Sequence, residues 1–376
     1  MKKFKFAIIG CGRISFKHIE AIVNNRKDAE LIAVCDIVEE KALEKSKEYK
    51  KLMNILVGPK VYVDYKKMIA ESEIDIVTIA AESGYHAEIA IYCMSNGKHV
   101  IVEKPMALSV IDSDNMIECG KKNKVKLCVC LQNRFNPSIQ RLRDAVEKGR
   151  FGKIINGTAR ILWNRNMDYY KQANWRGTWQ FDGGILMNQC IHNIDLLQWM
   201  LGGEVDSVYS QCHTFLRDIE VEDFGTIIIR FKNNAIGVIE GSACVFPENL
   251  KETLDIFGEK GTVCIGGLAV NNIETWKFAD NIENEETIMR EVKANLDSVY
   301  GAGHTLLFKN MIDTLRKDSL PIISGEEGKK ALSIILAAYK SSLTGEVIKF
   351  PFGNFSTMDM TSLGCGNAML CKKSDK

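Results

Sequence analysis

A chain of 376 residues is too long for one ordinary hydrophobic core, so two domains are expected. Its 49 basic and 48 acidic residues are well mixed and leave a formal charge of +1, which gives no electrostatic case for a nucleic-acid or membrane-surface partner. Hydrophobic residues at 46% and charged residues at 26% are the profile of a soluble globular protein, and no apolar run approaches the roughly 18 residues of a membrane span.

The amino terminus runs straight into a strand, "FKFAIIG" (4–10), without the apolar stretch or cleavage site of a secretion signal. A helix follows, with Ile14, Ile19, Ala21 and Ile22 at helical spacing. Then come the strand "AELIAVCD", a charged helix through Lys51, and the short strand "KVYVDY". Three further strands, "EIDIVTIAA", "NGKHVIVEK" and "KVKLCVCL", are separated by the helical segments "YHAEIAIYCMSNG" and "SDNMIECGKKN". The strands are nearly continuous apolar runs, as in a parallel sheet covered on both faces. The alternation predicts a doubly wound α/β domain over residues 1–128, a Rossmann-type fold.

From Asn136-Pro137, a strong helix start, the pattern changes. Alternating segments such as "KIINGTARILWNR", "DFGTIIIRFKN" and "AIGVIEGSACVF" predict an open, mostly antiparallel sheet in an α+β domain over 129–352. Asn233-Asn234 and Glu259-Lys260-Gly261 punctuate it as hairpin turns. Helices at 186–201, 303–317 and 326–342 are expected to cover part of the sheet, with the remainder left for a subunit interface. Residues 353–376 are expected to form an arm or tail. Most of the twelve cysteines sit in apolar segments, and none has zinc or redox spacing. That pattern points to a reducing cytoplasm and to no metal.

Gly10-Cys11-Gly12-Arg13-Ile14-Ser15 lies between the first strand and the first helix, with Ser15 where a third glycine is usual. Gly10 permits a tight turn, and Gly12 lets the backbone approach a pyrophosphate at the helix amino terminus. Asp36 ends the second strand, where an acidic residue accepts hydrogen bonds from ribose hydroxyls. Ile37 and Val38 follow it and offer no base for a 2′-phosphate, so NAD is favoured over NADP. Lys104 closes the fifth strand at the ligand edge of the sheet, between Val102 and Pro105, where a partly desolvated lysine could serve in proton transfer, although taken alone it reads first as a solvated surface charge. Asn188, His192 and Asp195 share one face of an otherwise apolar helix, where Asp195 could orient the imidazole. His86 is expected near the nicotinamide, His18 and His99 are read as structural, and His304 is open between starting a helix and lining the cleft.

These features resemble the Gfo/Idh/MocA oxidoreductases over nearly the whole chain up to about residue 350. The resemblance rests on the glycine loop with Asp36, "AESGYHAEIA", "EKP" at 103–105, "QNRFNP" at 132–137 and the His192 helix. It implies that Lys104 and His192 are the catalytic pair, acting beside a nicotinamide on the alcohol of a sugar or polyol. It also implies NAD contacts from Gly10, Gly12, Arg13, Ile14, Asp36, Ser83, His86, Glu103, Lys104, Gln132 and Arg134. Two positions depart from the pattern: Asn188 replaces an acidic residue before the histidine, and Ala81-Glu82-Ser83 replaces the usual turn.

Within the family, "NWRGTWQFDGGILMNQCIHNIDLL", "WNRNMDYY" and "FSTMDM" resemble the UDP-N-acetylglucosaminuronate 3-dehydrogenases. That subgroup oxidises carbon 3 of a UDP-linked N-acetyl uronic acid on the way to diamino uronates of surface polysaccharide. In some relatives a 2-oxo acid reoxidises the bound cofactor. The implied substrate contacts are Arg165, Tyr169, Tyr170, Trp175, Arg176, Asn188 and His192, with Trp163 and Trp179 as further aromatic surfaces. The family habit implies a homodimer or homotetramer.

Overall fold

The computed structural model describes residues 2–282, 285–292 and 302–362, so most of the expected tail lies outside the described residues. Contacts gather the chain into two units: Met1–Ala107, Ile111–Gln132 and Ala302–Lys329 in the first, and Leu108–Val110, Asn133–Gly301 and Lys330–Lys376 in the second. The main difference from a division at residues 128 and 352 is Ala302–Lys329, which returns to the amino-terminal unit.

The first unit is built on six parallel strands: β1 (Phe4–Ile9), β2 (Ala29–Cys35), β3 (Lys60–Tyr62), β4 (Ile76–Ile79), β5 (His99–Val102) and β6 (Leu127–Val129). Their order is β3-β2-β1-β4-β5-β6. The order reverses between β1 and β4, which opens a ligand crevice at their carboxyl ends. Phe6, Ile8, Val77, Ile79, Val100 and Ile101 are fully buried, as their continuous apolar runs require. The helix Tyr65–Glu71 was not anticipated, because the strand reading of "KVYVDY" absorbed its cap. Asp64 accepts the Lys66 N–H at 2.8 Å, and Met68 and Ile69 turn inward.

The helix Gly303–Lys317 does not cover the second sheet as expected. Its buried stripe of Leu307, Phe308, Met311 and Ile312 packs on the helix Ser15–Asn24 and on β1, with Phe308 stacked on Phe6 at 5.7 Å. Arg316 adds an ion pair to Asp28 at 2.6 Å.

The second unit carries an eight-stranded sheet: β7 (Ile154–Leu162), β8 (Val205–His213), β9 (Phe224–Phe231), β10 (Ile236–Ser242), β11 (Lys251–Gly258), β12 (Gly261–Gly266), β13 (Asn272–Phe278) and β14 (Ile348–Lys349). The order is β13-β12-β11-β7-β10-β9-β8-β14, antiparallel except for the parallel pair β7 and β10. The sheet is therefore mixed and mostly antiparallel. The helix Ile191–Leu201 lies on one face of it, because glycines make room. A Cβ on Gly157 would stand 2.8 Å from Leu197, and one on Gly237 would stand 3.1 Å from the same side chain. Near the carboxyl end of the helix Gly325–Thr344, Ser341 and Ser342 accept the N–H groups of Ser210 and Cys212 in β8. The opposite face exposes Ile155, Ile228, Ile236 and Val238.

The described cysteines are all free thiols. Among the described residues, no helix is long and apolar enough to cross a membrane.

Candidate active site

The glycine loop closes on itself through Asp36. Cys11 N–H donates to one carboxylate oxygen at 2.7 Å and Val38 N–H to the other at 2.9 Å. Gly10 has φ +91°, and any Cβ there would collide with Ala80 and Ala81. Gly12 instead faces open space, with nothing within 4 Å of a Cβ. Ser15, in place of the third glycine, turns its hydroxyl back onto the Gly12 carbonyl at 2.7 Å. Arg13 is exposed, and Ile14 begins the helix without a side-chain cap, leaving that terminus suited to a phosphate. Gln132 is buried, and its Oε1 has no partner among the described residues. An open glycine cradle and an unsatisfied buried amide in one unit fit a dinucleotide. When bound, NAD supplies the hydride acceptor.

Lys104 follows β5, and the Lys104–Pro105 peptide is cis. Glu103, which the resemblance implies at the cofactor, is 6% exposed and lies inside a side-chain cluster. His18 Nε2 and His304 Nε2 each approach its Oε1 at 3.0 Å, while the Lys104 N–H donates to its Oε2 at 3.2 Å. Burial opposes its ionisation, yet these histidine hydrogen bonds hold the carboxyl well below the usual value. Burial lowers the His18 pKa, so His18 is neutral; it donates from Nε2 and accepts at Nδ1 from Thr78 Oγ1 at 2.5 Å. His304 both starts its helix and joins this cluster. His86 is buried and links the turn after β4 to that after β5, through the carbonyls of Ala81 at 3.0 Å and Pro105 at 2.8 Å. Ser83 opens the short helical turn between them.

In the second unit, the expected single helix over 186–201 begins as a π-helical turn, Leu186–Cys190, and becomes α-helical at Ile191–Leu201. The wider turn changes the angle between Asn188 and His192 from the one an unbroken α-helix would give. His192 is half-buried. Asp195 does not stay on a polar face: it is buried and gripped by the Arg134 fork, Nε to Oδ2 at 2.7 Å and a terminal nitrogen to Oδ1 at 2.6 Å. Arg134, expected at the cofactor, is 1% exposed, and its guanidinium also stacks on Trp199 at 4.6 Å. The amphipathic spacing concealed this pairing because the two residues lie 61 positions apart.

The remaining substrate candidates form a cationic aromatic cluster. Arg165 lies over Trp163 at 4.4 Å and Tyr169 at 5.1 Å; Arg176 lies over Tyr169 at 4.5 Å and Trp175 at 4.6 Å. Arg176 donates to the Tyr169 hydroxyl at 2.6 Å, and Arg165 reaches Gln189 Oε1 at 3.2 Å. Gln189, which sequence reading missed, also donates to Asn188 Oδ1 at 2.6 Å, and Asn188 donates to Asp182. Tyr170 and Trp179 are turned into packing, edge-on to Tyr169 and Tyr339. A pair of guanidinium groups on aromatic faces suits an anionic or sugar-bearing ligand.

Residues 4–131 match the profile described as "Oxidoreductase family, NAD-binding Rossmann fold", and residues 139–264 match the "GFO/IDH/MocA C-terminal domain". The chain belongs to the Gfo/Idh/MocA oxidoreductase family. Among solved structures of the family, it is similar to the WlbA dehydrogenase from Bordetella pertussis in complex with NADH and UDP-GlcNAcA. That likeness has 37% identity and a TM-score of 0.85, covering 94% of this chain and 99% of that one. Among curated Gfo/Idh/MocA proteins, it is 29% identical to the myo-inositol 2-dehydrogenase of Thermotoga maritima, over 90% of this chain and 96% of that protein. It is 24% identical to the scyllo-inositol 2-dehydrogenase (NAD(+)) of Bacillus subtilis, over 90% and 94%. It is thus an NAD-dependent dehydrogenase of the sugar and polyol type.

Proposed function

We propose that this protein oxidises the 3-hydroxyl of UDP-N-acetyl-glucosaminuronic acid to the 3-keto sugar nucleotide, in the cytoplasmic synthesis of diamino uronates for surface polysaccharide. The observation that carries this reading is the pair Arg165 and Arg176, stacked on Trp163, Tyr169 and Trp175 beside Asn188 and Gln189. A neutral inositol has no charge to match two guanidinium groups, whereas a uronate carboxylate and a diphosphate do. The likeness to a dehydrogenase crystallised with UDP-GlcNAcA supports the same choice.

In the proposed reaction, His192 takes the proton of the 3-hydroxyl as the carbon–oxygen double bond forms and hydride leaves carbon 3. Lys104 donates a hydrogen bond to the same oxygen and stabilises the charge that develops on it. Asn188 and the two arginines hold the sugar in register. The exposed face with Ile155, Ile228, Ile236 and Val238 then serves as the contact of a homodimer or homotetramer.

Absorbance at the NADH wavelength, with NAD present, tests the assignment. UDP-N-acetylglucosaminuronate is expected to raise that absorbance; where the NADH stays bound, an added 2-oxo acid is expected to discharge it, and turnover is then read as the 2-hydroxy acid formed. Myo-inositol, scyllo-inositol and the free uronic acid are expected to be poor. The inositol relatives favour the competing reading, and a free polyol turned over as well as the nucleotide sugar would establish it. Lys104→Ala and His192→Asn are each expected to fold and bind NADH but to lose about 10²–10⁴-fold in kcat. Near-normal turnover in the double variant removes both residues from the mechanism.

A further inference from the structure

The cluster around Glu103 has no part in the reaction just described, yet it is among the most thoroughly hydrogen-bonded polar groups in the first unit. Glu103, His18, Cys130 and His304 are all buried, and their polar atoms lie within 4.8 Å of one another. They come from the first helix, the end of β5, the segment after β6 and the start of the helix Gly303–Lys317. Four elements thus converge on the residue that precedes Lys104.

We propose that Glu103, clamped by His18 and His304, is a positioning residue for Lys104: it fixes the backbone from which the lysine projects and sets a fixed negative charge beside it. This inference rests on the proposed role of Lys104. The clamp is geometric. Oε1 takes both imidazoles at 3.0 Å, Oε2 takes the Lys104 N–H at 3.2 Å, and Thr78 fixes the far nitrogen of His18. A lysine on a flexible four-carbon stem gains most from an anchored Cα, since small misplacements cost heavily in proton transfer. Burial resists ionisation of Glu103, but its donors hold the carboxyl well below the usual range, so the anion persists at working pH. The charged or titratable groups that surround it are His18, His304, Cys130, Lys104 and His86.

Glu103→Gln tests this, because it keeps the shape and one acceptor but removes the charge. The expected result is a loss of about 100-fold in kcat with KM and NADH affinity retained. The alkaline limb of the kcat profile is expected to move to lower pH, since an ammonium loses the anion that favours it. His304→Gln, which restores an N–H donor, should keep more turnover than His304→Leu. Normal kcat with an unmoved pH profile in Glu103→Gln overturns the proposal. So does a parallel fall of kcat, NADH affinity and thermal midpoint with the profile unmoved, which marks a purely structural cluster. A stoichiometric metal ion in the purified wild-type protein overturns it as well, since the carboxylate would then be a ligand. Lys104→Ala separates this from the reading beneath it. If that variant turns over normally, the role of Lys104 fails first; if it is inactive while Glu103→Gln is fully active, only the positioning claim fails.

Discussion

Glu103 in the first unit and Glu222 in the second are almost equally buried, at 6% and 3% exposure, yet their pKa values move in opposite directions. Glu103 has donors on both oxygens, and these outweigh burial. Glu222 receives the Leu186 N–H and the Tyr339 hydroxyl on Oε1, each at 2.9 Å, while Oε2 has no partner among the described residues. Burial pushes its pKa up to about 8, with the nearby Asp182 adding repulsion. Glu252, also buried and lacking a partner on Oε2, is likewise pushed up to about 8 by burial. Depth alone does not decide whether a buried carboxyl ionises; the number and placement of its donors do.

The strongest way to break that comparison is through Asp195, a second-unit carboxylate as buried as the others but fully forked by Arg134. If donors decide, removing the fork should leave an uncompensated buried charge. Arg134→Met is expected to cost about 3–5 kcal/mol in chemical denaturation, whereas the double change with Asp195→Leu recovers most of it. A single variant as stable as the wild type would contradict the argument.

The next test uses pH, because the two units should respond in opposite directions. In the second unit, Glu222 and Glu252 hold their protons up to about 8 when folded but release them near the ordinary carboxyl value when unfolded. Between those values the folded state binds more protons, so stability falls as pH rises. In the first unit, burial keeps His18 and His86 neutral. The unfolded chain protonates these histidines first as pH falls below about 6.5, so stability there is lost on acidification. All five tryptophans lie in the second unit, so their fluorescence follows that unit alone. Hydrogen exchange of β1, corrected for intrinsic rates, follows the first. The double change Glu222→Gln with Glu252→Gln should flatten the pH slope seen by tryptophan and leave that of β1 unchanged; a slope that persists would put the protons elsewhere.

The same contrast explains what the sequence could disclose. The glycine loop, Asp36, the parallel strands and the alternating second sheet follow local patterns, and each was readable. The clamp on Glu103 was not, since His18 and His304 stand 85 and 201 residues away from it. The pairing of Arg134 with Asp195 was not legible either, because nothing local marks the two as partners. The π-helical turn before His192 escaped for a related reason: one extra residue per turn leaves an apolar helix still apolar, so only the hydrogen-bond geometry distinguishes it. The parallel pairing of β7 with β10 depends on register between segments far apart, which alternation does not encode.

The smallest expected effect concerns Glu252, whose pKa is raised by burial and drawn back by the positive charge of Arg165. A carboxyl near 8 is half-titrated in mildly alkaline buffer, so it can answer a change in its neighbour's field. If the proposed uronate or diphosphate settles on Arg165, the cation is screened and Glu252 should hold its proton more firmly. Binding should then take up a fraction of a proton near pH 8, read as different calorimetric enthalpies in buffers of different ionisation heat. Glu252→Gln should abolish that uptake while leaving affinity nearly intact. Glu103, already ionised and sealed among its donors, should contribute nothing to it. Equal enthalpies in all buffers would mean that the anion binds away from Arg165, and the substrate assignment would lose its main support.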